Sequence, residues 1–255
     1  IVGATCALSL QQQGFKVALI NNHTVPQIEN DMLAQTRVSV INNHSYKLLN
    51  SLNVWQKLPV TRITPLLAMK ICSAPMVPNK ATPIEKQESI FTKYFLHLRR
   101  ANAKWMAQES TEAEINFYAA EFGFSELGFT IENNFLIQTL LENFQASENA
   151  FFCPAEVTDL IHQNTGWQLQ IKGAAPKVIY ARLLVIAQGA AAHLRELLRV
   201  PHSINFYNQK ALVMNVLSEH PHRFCAYQRF LTTGPIAFLP LFESHWSSIV
   251  WTLPT

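Results

Sequence analysis

At 255 residues, with 49% hydrophobic and 15% charged positions, the chain can bury a substantial core, which excludes a disordered protein. A net charge of +3 is too slight for a nucleic-acid footprint, so no nucleic-acid partner is expected. No apolar run reaches the roughly 18 residues of a spanning helix, and the opening lacks the basic start of a signal peptide.

Residues 1–22, IVGATCALSLQQQGFKVALINN, predict a helix over 3–13, a stop at Gly14 and a short strand over 16–20. Ala4, Ala7, Leu8 and Leu10 recur at helical spacing, and Gly14 sits where a left-handed C-cap belongs. Val17, Ala18, Leu19 and Ile20 form the continuous apolar run of a parallel strand covered on both faces. A helix feeding such a strand is the second half of a βαβ unit, so the chain reads as starting inside the unit. Gly3 then takes the place of the third glycine of a G-x-G-x-x-G turn, where a helix packs closely on a strand and points its N-terminus at a pyrophosphate. By itself it reads equally well as a packing glycine.

Arg37 precedes a Val-Ser-Val-Ile run and is a surface cation unless a cofactor phosphate or an electron-rich ring gives it a partner. Residues 43–55 follow as an amphipathic helix broken at Asn53, and 69–72 as a short strand. Residues 85–108 predict a helix with Phe91, Tyr94, Phe95, Leu98 and Trp105 on one face and five cationic or histidine residues largely elsewhere. Such a helix either covers the protein's own sheet or docks on an anionic membrane surface or a partner. Residues 113–118 alternate like a half-buried strand, 134–144 are helical, and 151–162, 167–172 and 177–181 read as strands. RLLVIA over 182–187 reads as a further buried strand ending at Gly189. Strands over 211–217, 224–230, 236–241 and 248–253 complete the chain.

The four cysteines, Cys6, Cys72, Cys153 and Cys225, have no zinc or disulfide spacing and read as free thiols of a reducing cytosol. Glu219-His220-Pro221-His222 lacks a third ligand and reads as a surface loop, so no metal site is expected. Ser244 and His245 have no acid to complete a triad.

Five blocks carry a likeness to a known family. They are the opening helix with GFKVALI, QTRVSVINNHSYKLLNSLNVW (35–55), ELGFTIENNFLIQTLL (126–141), ARLLVIAQGAAAHLREL (181–197) and GPIAFLPLFESHWSSIVWTLP (234–254). Together they resemble the flavin-dependent aromatic-ring hydroxylases of ubiquinone biosynthesis, relatives of p-hydroxybenzoate hydroxylase, and most of all the polyprenylphenol hydroxylases. The resemblance implies an α/β fold, a Rossmann-like FAD-binding domain interrupted by a β-sheet substrate domain, incomplete at both ends. It divides the chain into FAD-binding parts 1–66 and 129–200 and substrate-domain parts 67–128 and 201–255, with an inserted helix near 85–108. It implies FAD, reduced by NAD(P)H, and a peroxyflavin that hydroxylates a prenylated phenol. It further implies a cytoplasmic protein in peripheral contact with the inner membrane face or with a ubiquinone-biosynthesis complex.

Matched residue by residue, Gly3 faces the pyrophosphate, Arg37 lies on the flavin side, Glu132 contacts FAD, and Phe238, Leu239, Pro240 and Leu241 line the substrate pocket. Two cofactor positions depart from the family. Asn21 stands where an acidic residue receives the ribose hydroxyls, and Gln188, before Gly189, stands where the family has aspartate. These departures support a competing expectation, a non-catalytic relative acting as a scaffold or partner subunit. A third reading, a nicotinamide-dependent oxidoreductase without flavin, explains Gly3 but not the 234–254 block.

Overall fold

The computed structural model describes residues 1–25, 37–73, 113–145, 150–173, 177–189 and 193–255. The helix expected over 85–108 lies outside them. Helix α1 (Val2–Gln12) ends as its sequence predicts: Gly14 adopts φ +84°. The Gly14 N–H donates to the Gln11 carbonyl at 2.9 Å and the Phe15 N–H to Leu10 at 3.2 Å, so the chain turns back along its own helix. Strand β1 (Ala18–Ile20) returns beside α1 and pairs in parallel with the later strand β7 (Ala150–Phe152).

A second sheet is antiparallel, in the order β2 (Val38–Asn42), β6 (Gly128–Glu132), β3 (Thr64–Leu66). Helix α2 (Asn43–Ser51) leaves β2 directly, because the Asn42 side chain accepts the Ser45 N–H at 2.8 Å and caps the helix start. Helix α3 (Asn133–Gln145) follows β6 directly. Ala4, Ala7 and Leu8 of α1 share a core with Leu136, Leu140, Leu141 and Phe144 of α3, and Ile41 and Ile131 join it from the strands. Each such fully buried Leu or Phe contributes about 1.5–3 kcal/mol, so this cluster fixes α1 against the strand ends.

Strands β8 (Ala155–Gln163), β9 (Gly166–Gly173) and β10 (Lys177–Ala181) form an antiparallel meander. The strand expected over 151–162 is divided at Pro154, which has no N–H to give a ladder; β7 pairs with β1, and β8 pairs with β9. The expected strand over 182–187 is not formed. These residues carry no ladder among the described residues, and Leu183 and Val185 are 68% and 51% exposed. An apolar run becomes a buried strand only where a neighbour accepts its hydrogen bonds; the β9 ladder ends opposite Ala181. A short helix, α4 (His193–Leu197), follows.

The largest sheet has six strands. It runs β11 (Gln209–Leu217), β14 (Trp246–Pro254), β13 (Gly234–Pro240), β12 (Cys225–Leu231), β4 (Ala68–Ser73), β5 (Glu114–Tyr118). Strands β12 and β4, far apart in sequence, are parallel neighbours, and that pairing joins the early and late halves of the sheet. Strand β5 was expected to be half buried, yet all five of its residues are exposed, because it is the outermost strand.

Gly128 sets the spacing between β2 and β6. A Cβ there would lie 2.5 Å from the Ile41 carbonyl oxygen, a backbone atom that cannot move without opening the ladder. Gly128→Ala is therefore expected to lower stability by about 1–3 kcal/mol, the usual cost of overpacking, read as a shift in the urea midpoint.

Candidate functional site

The residues singled out in the sequence fall into two groups. The first lies at the start of α1. A Cβ on Gly3 would meet the Ala187 Cβ at 3.2 Å, so the segment carrying Gln188 and Gly189 crosses the helix start at close range. Gly189 adopts φ +71°, a left-handed conformation that favours glycine. The first turn of α1 has neither an acidic residue nor a side-chain cap, so among its own residues nothing neutralises the positive dipole end.

Asn21 follows β1, and because β1 runs back along α1 it lies at the same end of the layer as Gly3. Its backbone is tied to β7 and β8: its N–H donates to the Phe152 carbonyl at 2.9 Å, and its own carbonyl accepts the Ala155 N–H at 2.8 Å. Its side-chain nitrogen donates to the His23 carbonyl at 2.7 Å and lies 3.7 Å from the Cys153 sulfur. The amide nitrogen is thus engaged in the local turn, which leaves the side-chain oxygen as the acceptor this position can offer.

The second group gathers where β2 and β6 end. Val38, next to Arg37, lies opposite Glu132, and the Asn133 N–H donates to the Arg37 carbonyl at 3.0 Å. Glu132 is 2% exposed, and its carboxylate pairs with the Arg62 guanidinium at 3.1 Å. The same guanidinium lies 4.1 Å from the centre of the Phe242 ring and 5.4 Å from that of Phe135. Arg62 thereby ties the end of β6 to the turn after β13. Sequence reading missed Arg62, although a signal was present: it is the one charged residue between Lys57 and Lys70.

The strand 238–241 does not present all four of its residues to one pocket. Phe238 lies opposite Tyr227 and Ile249, whereas Leu239 lies opposite Ser248, so successive side chains take opposite faces. Leu241 stands beyond the strand, buried, with its N–H donating to the Trp246 carbonyl at 3.0 Å. Burial pushes the Tyr227 phenol well above its ordinary value, so it stays protonated.

His222, expected in a surface loop, is buried. Its Nδ1 accepts the Phe224 N–H at 3.0 Å, which leaves the proton on Nε2, 2.9 Å from the Leu241 carbonyl and 3.1 Å from that of Glu243. One neutral imidazole therefore holds both sides of Phe242. Burial pushes its pKa down, the two carbonyls oppose that shift, and nearby His245 adds to it. A periodicity scan could not reveal this, because the partners are backbone carbonyls about 20 positions away.

A cavity of about 530 Å³ opens beside the six-stranded sheet. Asn42, Asn43, His44, Met69, Phe117, Phe122, Phe124 and Leu127 line it, and neither Gly3, Arg37 nor residues 238–241 do. Among the described residues no three His, Cys, Asp or Glu side chains converge as a metal set, and no helix is long and apolar enough to cross a membrane.

No family model matches the chain. It is 27% identical to a 3-demethoxyubiquinol 3-hydroxylase of Escherichia coli over 98% of its own length and 54% of that protein's. It is 26% identical to the ubiquinone hydroxylase UbiL of Rhodospirillum rubrum, covering 99% of this chain and 49% of that one. The chain thus spans about half the length of the curated relatives it matches. Its fold is similar to that of PqsL of Pseudomonas aeruginosa, "a probable FAD-dependent monooxygenase", with a TM-score of 0.68 at 12% identity over 98% of this chain and 57% of that one.

Two outcomes check the site's construction. Arg62→Met leaves the Glu132 carboxylate buried without this ion-pair partner and is expected to cost about 3–5 kcal/mol. Adding Glu132→Leu to Arg62→Met should recover most of the loss in a double-mutant cycle. For His222, the unfolded chain binds its proton more tightly than the folded one, so its contribution is complete above the ordinary value of about 6.5 and falls away as the pH drops below it. Urea midpoints measured from pH 7 to 5 should show this decline, and His222→Asn should remove that step.

Proposed function

We propose that this chain, a relative of the ubiquinone-biosynthesis hydroxylases with the fold of a flavin-dependent monooxygenase, is the FAD-holding and substrate-facing portion of an aromatic-ring hydroxylase. The observation that carries the reading is the close approach of Ala187, next to Gln188, to Gly3 at a helix start whose first turn holds no acidic residue and no side-chain cap. The chemistry suits a pyrophosphate: the glycine lets backbone come close, and the first-turn N–H groups would donate to phosphate oxygens. Asn21, at the same end, offers its side-chain oxygen to one ribose hydroxyl, a weaker contact than an acid would make.

In this reading residues 1–66 and 129–200 hold FAD, and residues 67–128 and 201–255 face the substrate, a prenylated phenol. The six-stranded sheet supports the division, since it draws its strands from 68–73, 114–118 and 209–254. FAD, reduced by NAD(P)H, supplies the oxygen chemistry when bound. The protein's own part is to orient the ring, exclude water and fix the site's edge. Arg62 does the last of these, pairing with Glu132 in the interior while it seats Phe242 beside β13.

A second reading is favoured by a specific observation. Gln188 stands where the family has a carboxylate, and Asn21 offers one neutral acceptor where the family has an acid, so cofactor affinity would be reduced. A scaffold subunit that keeps the fold would tolerate both. The visible spectrum of the protein in its full-length form separates the readings. A yellow protein whose flavin absorbance is bleached by NADH or NADPH establishes the hydroxylase reading, and a folded, colourless protein that ignores added FAD establishes the scaffold. Gln188→Asp restores a charge-assisted acceptor worth about 1.5–3 kcal/mol, so FAD is expected to bind about 10- to 100-fold tighter to that variant in a fluorescence titration.

A further inference from the structure

Strand β5 takes one edge of the six-stranded sheet, and no strand lies beyond it among the described residues. The Ser73 N–H donates to the Ala113 carbonyl at 3.0 Å and the Ala119 N–H to that of Leu67 at 2.9 Å, so the odd-numbered residues of this stretch turn their backbone groups toward β4. By the alternation of an antiparallel ladder, Glu114, Asn116 and Tyr118 turn their N–H and C=O groups outward, and all three residues are exposed. Proteins commonly protect such an edge with Lys, Pro or a bulge. Strand β5, with the sequence EINFY and an unbroken register to β4, has none of the three.

This edge is complementary to itself. When two copies of β5 run antiparallel about Asn116, every outward residue meets an outward residue: Asn116 faces its twin, and Glu114 faces Tyr118 in both directions. Each of these pairs exchanges both backbone hydrogen bonds, and no other register engages all the outward residues. Between them Ile115 faces Phe117 twice, in the positions where side chains approach more closely; the two are 58% and 36% exposed in the single chain. The two Glu114 carboxylates stand opposite Tyr118 phenols and about 13 Å apart, four residues of rise, so no like charges meet. Phe122 stacks on Phe117 at 6.5 Å, and Phe122 and Phe124, 55% and 54% exposed, extend the apolar surface beyond the strand. A buried aromatic side chain covers about 150–250 Å², so the exposed parts of Phe117, Tyr118, Phe122 and Phe124 offer about 300–450 Å² per copy, roughly half of what each partner brings to a standard interface. Ile115 and the strand backbone add to that area, enough for a reversible dimer.

We propose that a second copy of this chain docks on β5 through its own β5, joining the two six-stranded sheets into one across a twofold axis. The inference stands apart from the hydroxylase reading, because the ladder uses no residue of either candidate group. A dimer with or without flavin satisfies it equally.

The test uses the full-length protein in sedimentation velocity over about 1–100 µM, a range that brackets reversible dimers. Asn116→Pro removes the N–H at the twofold axis and leaves the ladder to β4, which uses the odd-numbered residues. Ile115→Lys places an edge-protecting cation at a position already 58% exposed, so the fold does not depend on the side chain it replaces. Asn116→Cys brings two thiols together at the axis with Cα atoms about 5.5 Å apart, within disulfide reach. The expected result is a concentration-dependent dimer in the wild type and association weaker by about 10-fold or more in Asn116→Pro and Ile115→Lys, both with the wild-type far-UV spectrum. Mild oxidation should cross-link Asn116→Cys into dimers and leave His220→Cys, an exposed position away from β5, uncrosslinked. A wild type that stays monomeric at about 100 µM, a dimer whose affinity Ile115→Lys leaves unchanged, or cross-linking of Asn116→Cys no greater than that of His220→Cys overturns the pairing. Should Asn116→Pro fail to fold, Ile115→Lys and the cross-link decide the matter on the same terms.

Discussion

A carboxylate taken out of water costs free energy unless a cation or hydrogen bonds come with it, and that constraint organises the centre of this molecule. Glu132 ends β6 and begins α3, a junction the fold cannot relocate because β6 is the middle strand of its sheet. Arg62 answers it, and a guanidinium in that position has faces left for aromatic rings, which Phe135 and Phe242 take. One charge requirement thereby draws the connection before β3, the start of α3 and the turn after β13 to a single point. From the other side His222 grips the same turn through two carbonyls, so Phe242 is held by an ion-paired cation and by a neutral ring.

The cofactor end is built on a different principle. The arrangement depends on close approach, with a glycine where the Ala187 methyl comes near and a first turn of α1 that has no acidic residue and no side-chain cap. The two ends are joined by the core in which α1 packs on α3, so what happens at one strand terminus is transmitted through rigid apolar packing rather than through a polar network.

Much of this was legible in the sequence because it depends on local periodicity or on chain punctuation. The helix over 3–13, its Gly14 stop, and the four late strands have strong patterns and short-range causes. What escaped is what depends on partners distant in the chain. Residues 182–187 look like a buried strand, but a strand is defined by its neighbour, and periodicity does not report neighbours. Arg62 meets Glu132 across 70 positions, His222 meets the Leu241 and Glu243 carbonyls across about 20, and the cavity draws on residues 42–44, 69 and 117–127, separations that local periodicity does not report. The expectation for residues 238–241 treats them as one wall, whereas the pleat of the strand sends successive side chains to opposite faces.

That pleat has a consequence for how the chain can vary. Strand β13 carries Phe238 toward Tyr227 and Leu239 toward the opposite surface, and a ladder on each side fixes the phase. One apolar residue can replace another here at modest expense, since each face asks only for bulk and greasiness. Losing or gaining a single position would exchange the two surfaces along the whole strand. Composition is free to drift in β13; its length is not.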